Sequence, residues 1–223
     1  MNIRPVFLAL LTGLSAAPTA RAADCAFSDD LTGVRSVATI TPGDARVYFA
    51  ETPGAAGRCA NARCPYVTQG DSVALGERSG DAVCATFTSK AGRATTGWLP
   101  AGRLVDSRPA ARDWEGRWGD RERAVTIKAV GGGIAVDARL SIQNGGPVFS
   151  GAFKAKLETT GPILSFAVDE DGRQTLFDQG KDGACRVKLV LAGPVLLVHD
   201  EGCVGLGSPA TFEGAYTRAK ARP

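Results

Sequence analysis

The stretch Tyr66-Val67-Thr68-Gln69-Gly70-Asp71-Ser72-Val73-Ala74-Leu75 sets the frame for reading this chain. Apolar Val67, Val73 and Leu75 flank a polar Thr-Gln-Gly-Asp segment, the order of a strand, a turn and a strand. The same punctuation continues on both sides. Upstream, Arg46-Val47-Tyr48-Phe49 is a short β-branched and aromatic run. Downstream, Gly80-Asp81 turns into Val83-Cys84-Ala85-Thr86-Phe87-Thr88, and Thr95-Thr96-Gly97-Trp98-Leu99-Pro100 leads into Ala101-Gly102-Arg103-Leu104-Val105. Turn signals recur about every 8 to 12 residues, the spacing of β-sandwiches and barrels. Beyond the first residues no window sustains a 3.6-residue apolar period for three turns. The expected class is all-β.

At 223 residues the chain has room for one or two domains. The polar, Pro-containing segment Ser107-Arg108-Pro109-Ala110-Ala111-Arg112 is the best linker. The expected division is 23–107, a linker at 108–112, and 113–223. The second part opens with Asp113-Trp114-Glu115-Gly116-Arg117-Trp118-Gly119. Expected strands follow at Val125–Val130, Ile134–Ile142, Pro147–Leu157, Ile163–Val168, Cys185–Leu191, Val195–Asp200 and Ala210–Arg218, with Gly131-Gly132-Gly133 as a hairpin turn. About eight short antiparallel strands suit a closed barrel or a sandwich. Trp114 and Trp118, four apart, should share the core face of one strand, with Arg117 and Arg121 on the other.

Residues 1–22 read as a secretory signal peptide: basic Arg4, an apolar run from Val6 to Leu14, then Ala20-Arg21-Ala22 as an A-x-A site. The apolar run is too short for a membrane helix, which needs about 20 residues. Asp24 before Cys25 does not fit a lipidation site, so the mature chain should begin at Ala23 in the periplasm or outside the cell. No later segment could cross a bilayer as a helix. Apolar residues are 44% and charged residues 22%, which argues against a mainly disordered chain. Basic side chains number 26 and acidic 23; losing Arg4 and Arg21 leaves 24 against 23, and no polybasic block supports a nucleic-acid partner.

Export changes the meaning of the cysteines, because an oxidising compartment favours disulfides. All six lie beyond residue 22: Cys25, Cys59, Cys64, Cys84, Cys185 and Cys203. There is no C-x-x-C and only one histidine, His199, so a zinc site is disfavoured and no metal or cofactor is expected. Four cysteines in the first half allow three pairings. Local closure of Cys59 with Cys64 leaves Cys25 for Cys84. In the second half, Gly193-Pro194 marks a hairpin. A register symmetric about Pro194 sets Lys188 opposite Asp200, Val190 opposite Val198 and Cys185 opposite Cys203, with His199 and Glu201 sharing a face with Val187 and Leu189. A one-residue slip would set Cys185 opposite Gly202 and should spoil the bridge.

The Gly70-Asp71 turn, the central hairpin and Gly97-Trp98-Leu99-Pro100 with its short turn before Leu104 resemble the bacterial SH3-like domain over roughly residues 40 to 106. The resemblance implies a small SH3-like barrel, with Trp98 either in its core or near its groove. The chain as a whole is similar to an uncharacterised two-domain periplasmic type of exported bacterial protein. Its members share an Arg-Val-x-Phe strand and a Cys-containing loop, and end in a Cys, a Gly-rich turn and a Phe-x-Gly-x-Tyr strand. Cys203, Phe212, Gly214 and Tyr216 fit that ending; Val204 departs from it. Gly116-x-Trp118 with Arg218 resembles the lipocalin-type closure, in which a first-strand Trp packs beneath a last-strand Arg. The family likeness implies binding of cell-wall material or protein partners, not catalysis.

The chemistry agrees with that implication. Any Ser-His-Asp or Cys-His site would have to use His199, and no Gly-x-Ser-x-Gly elbow exists. Asp169-Glu170-Asp171-Gly172 reads as a solvated hairpin tip rather than a carboxylate pair or a calcium loop. Tyr48, Tyr66 and Trp98 are the candidate ligand-binding aromatics. The expected function is non-catalytic recognition of peptidoglycan, as glycan or peptide, or of a periplasmic or extracellular protein. The alternative is inhibition of a hydrolase such as lysozyme, with the 169–171 tip meeting a basic rim.

Overall fold

A computed structural model describes residues 25–27, 31–43, 46–59, 63–143, 145–204 and 210–219. The signal-peptide reading of 1–22 lies outside the described residues. Over half of the described residues are strand, arranged in antiparallel sheets, and one short α-helix is found among them.

In the first half, β1 (Ser36–Ile40), β2 (Val47–Tyr48), β3 (Tyr66–Val67), β4 (Ser72–Ser79), β5 (Ala82–Thr88), β6 (Ala94–Pro100) and β7 (Leu104–Asp106) follow the turn signals. Five of them form a sheet in the order β6-β5-β4-β1-β7, and β2 pairs with β3. A 3₁₀ turn at Ala101–Arg103 joins β6 to β7. Alternation puts Ala38, Ile40, Val73, Leu75, Val83 and Leu99 on one face, where Val47, Phe49 and Val67 close over them.

The second half opens with a departure from expectation. Ala111–Trp114 forms a helical turn, α1, across the intended linker and the start of the next strand. The Asp113 carboxylate accepts the Ala110 N–H at 2.8 Å, which holds that turn. Trp114 is therefore helical, and only Trp118 lies on β8 (Gly116–Gly119). Both indoles are still fully buried, and the Trp118 Nε1–H donates to the Trp114 carbonyl at 2.9 Å. Then come β9 (Arg123–Val130), β10 (Gly133–Gln143), β11 (Val148–Glu158), β12 (Ile163–Val168), β13 (Gln174–Thr175), β14 (Cys185–Ala192), β15 (Val195–Glu201) and β16 (Gly214–Thr217). They build two sheets, β11-β10-β9-β8 and β13-β12-β14-β15-β16, over one core that includes Trp118, Phe153, Phe166 and Phe212.

The two sheets meet along one seam. Trp118 and Arg218 form a bridge, and the Ala219 N–H donates to the Arg117 carbonyl at 2.7 Å. The Arg218 guanidinium stacks 4.7 Å from the Trp118 ring and donates to the Asp113 carbonyl. At the opposite edges, the Lys156 N–H on β11 meets the side chain of Gln174 on β13. Among the described residues no backbone ladder joins β11 to β13, so closure into a complete barrel is not seen there.

All six cysteines pair as Cys25–Cys84, Cys59–Cys64 and Cys185–Cys203, with Cα separations of 5.2, 5.7 and 4.3 Å. The register expected for the last hairpin is wrong by one residue. The turn is two residues long, so Ala192 pairs with Val195, Lys188 with His199 and Val190 with Leu197. Gly193 takes φ 59°, as the first residue of a two-residue hairpin turn can when it is glycine, and proline follows. The slip does not spoil the disulfide. Beyond the end of β15, Gly202 adopts φ 76° where a Cβ would press on the Ala184 carbonyl, and the chain turns there to bring Cys203 back over Cys185. The corrected register also moves His199 off the face of Val187 and Leu189 and onto that of Lys188 and Val190.

Both faces of this hairpin are buried. Val187, Leu189, Leu191, Leu196 and Val198 enter the second-half core. Val190, Ala192, Val195 and Leu197 pack against Val34, Val37 and Ala74 of the first half. The Lys188 ammonium donates to the Leu31 carbonyl at 2.5 Å beside that contact.

Candidate functional site

The β2–β3 pair sets Tyr48 directly opposite Tyr66. Their rings meet edge to face, with centroids 6.1 Å apart, the offset geometry that aromatic quadrupoles prefer. Tyr66 is 43% exposed, and the Arg46 guanidinium lies 4.4 Å from its ring centre. The Cys59–Cys64 bridge closes part of the connection between the two strands. The result is an exposed aromatic corner with a positive charge on it. It can stack against the C–H face of a sugar or hold an extended peptide, while Arg46 offers donors to a carboxylate.

Trp98 is not part of that surface. It is 1% exposed, sits opposite Cys84 on the β5–β6 ladder, and packs with Ala82, Cys84, Cys25, Phe27 and Ala56. The Ala50–Trp98 bridge joins the chain after β2 to β6. This indole lies on the sheet face away from the one that Val47, Phe49 and Val67 cover, and it presents no face to a ligand.

His199 is 8% exposed, with Nε2 3.6 Å from the Glu201 carboxylate. All cysteines are oxidised, so none offers a thiolate. The Asp169-Glu170-Asp171-Gly172 segment is a hairpin tip: the Asp169 carboxylate accepts the Arg173 N–H at 2.7 Å, and Glu170 and Asp171 are exposed. Among the described residues no cluster of three His, Cys, Asp or Glu side chains has the arrangement of a metal site, and no helix is long and apolar enough to cross a membrane.

A second site was missed by sequence reading. The outer face of the β8–β11 sheet carries a groove of about 770 Å³. Arg117, Lys128, Arg139, Lys154 and Lys156 line it together with one acid, Asp137. Arg139 donates to Asp137 at 3.2 Å and Lys154 lies 3.5 Å away; the Arg139 hydrogen bond first, then both charges, hold the Asp137 carboxyl below its usual range. These cations are far apart in sequence and meet only through register. Arg117 pairs with Thr126, Thr126 with Asp137, and Asp137 with Lys154; one row along, Lys128 pairs with Ala135 and Ala135 with Lys156. The signals that could have found them are Asp137-x-Arg139 and Lys154-x-Lys156, in which spacing two places both members on one strand face. A search for contiguous basic runs passes over them.

No family model, curated protein or solved structure matches the chain.

Proposed function

We propose that this is an exported, non-catalytic binding protein whose first half, folded as a small SH3-like barrel, recognises cell-wall glycan or peptide. Three disulfides indicate an oxidising, extracytoplasmic compartment, and a periplasmic or secreted location follows from the leader-like N-terminus. The observation that carries the reading is the Tyr48–Tyr66 corner capped by Arg46, a preformed aromatic surface on a disulfide-closed loop. Co-sedimentation with purified peptidoglycan sacculi tests it. The parent should pellet with sacculi, and Tyr48→Ala/Tyr66→Ala should weaken binding at least about tenfold while keeping the parent melting profile. A parent that stays in the supernatant overturns the glycan reading.

A second reading rests on the exposed acidic tip, whose backbone Asp169 fixes. As an inhibitor of a basic hydrolase such as lysozyme, the protein would insert Glu170 and Asp171 at the enzyme's cationic rim. Inhibition of lysozyme turnover, lost in Glu170→Lys/Asp171→Lys, would favour it over sacculus binding.

A further inference from the structure

We propose that the groove on the outer face of the β8–β11 sheet is a binding site for a multiply charged anionic ligand, one whose carboxylate or phosphate groups are about 10 Å apart. That distance is the separation of Lys128 and Lys156 across two strand spacings. Between them Ala135 leaves a low floor, and Ala124, 5% exposed although it is on the outer face, lies opposite Arg139, two same-face rows further along on the neighbouring strand. At about 770 Å³ the groove lies in the range of sites that hold a small molecule or a short chain segment.

Charge singles out the groove from the rest of the surface. The whole chain is close to neutral, with 26 basic against 23 acidic side chains, yet five cations meet one carboxylate here. Asp137 engages Arg139 and Lys154. Among the described residues Arg117, Lys128 and Lys156 have no ion-pair partner, and the Arg117 guanidinium donates to the Asp120 carbonyl at the groove's end. Asp137, paired with exposed Arg139 and Lys154, offsets only one of the positive charges. Edge protection explains lysines on an outermost strand such as β11. It does not explain Lys128, because β9 is paired on both sides. Concentrated like charge lining a concave surface attracts and orients an oppositely charged ligand.

Calorimetric titration of the full chain with a short linear polyphosphate and, separately, a short oligogalacturonate tests the site. Inorganic phosphate serves as the single-anion control. At least one oligomer should bind, more weakly as salt rises, and inorganic phosphate should bind at least about tenfold less tightly. Lys128→Gln/Lys156→Gln should lose at least about tenfold. Arg93→Gln, at the exposed turn between β5 and β6, should stay within about twofold of the parent. Whichever oligomer binds tighter names the preferred anion. Failure of both oligomers at low salt, equal binding of inorganic phosphate, or an equal loss in Arg93→Gln overturns the proposal. Because the groove and the aromatic corner share no residue, either can fail without the other.

Discussion

The two halves solve the same problem with different means. Among the described residues, the main core of the first half contains ten buried side chains, none larger than Phe49, and two disulfides hold that half. The main core of the second half, counted in the same way, contains twenty-three, including Trp114, Trp118, Phe153, Phe166 and Phe212, and one disulfide sits at its rim. A small β-sheet buries too little apolar surface to offset chain entropy comfortably, so covalent links limit the unfolded state instead. Where aromatics fill the interior, packing carries more of the load.

The largest expected effect tests the packed half. Trp118→Ala removes a fully buried indole, its hydrogen bond to the Trp114 carbonyl and the surface under Arg218. It should cost about 3–5 kcal/mol, read by denaturant unfolding. A loss below about 1 kcal/mol would mean that the seam is not holding the second half together.

The stapled half is tested by comparing its two bridges. Cys25–Cys84 closes a separation of 59 residues and Cys59–Cys64 one of 5. In the chain-entropy account, Cys25→Ser/Cys84→Ser should lose about 4 kcal/mol and Cys59→Ser/Cys64→Ser about 2. Thermal melts of the two variants give the order directly. A reversed order would show that the short bridge shapes the native β2–β3 corner rather than limiting the unfolded chain.

The smallest effect sharpens the contrast by pH. Tyr216 is 6% exposed in the second-half core and donates to the Phe212 carbonyl at 2.5 Å. Burial first, with the Asp200 and Asp120 carboxylates adding to it, raises its phenol from 10.0 to about 12. A raised folded value means that the neutral form is the one that stabilises. That contribution is complete below pH 10 and declines as pH rises toward 12, because the unfolded chain ionises first. The loss should be on the order of 2 kcal/mol and should be absent in Tyr216→Phe. An unchanged alkaline slope in Tyr216→Phe would assign it to other groups.

Much of the architecture was legible because its causes are local. Turn residues and alternation locate the strands, and Ile163–Val168 matches its expected bounds. Local closure of Cys59 with Cys64 follows from their spacing, whereas Cys185–Cys203 forms although the register that suggested it is off by one residue, and Arg218 stacks on Trp118 as the resemblance to the lipocalin-type closure implies. The illegible parts depend on tertiary context. One turn residue more or less reverses which face His199 occupies, and nothing near Gly193 declares which. The helical turn at Ala111–Trp114 is held by the Asp113 carboxylate, two local backbone hydrogen bonds and the burial of Trp114, the last of which only the tertiary fold supplies. The groove exists only after four strands align in register, so its cations look dispersed along the chain.

The hairpin buried on both faces also bears on how the protein is made. Val34, Val37 and Ala74 are synthesised early, whereas the residues that cover them, Val190 to Leu197, come near the end of the chain. Because the two disulfides of the first half close only in an oxidising compartment, that sheet face is completed there and stays sticky until the last strands cover it. A chain truncated before Cys185 would keep that face permanently uncovered, which makes the last strands act as an internal chaperone for the first.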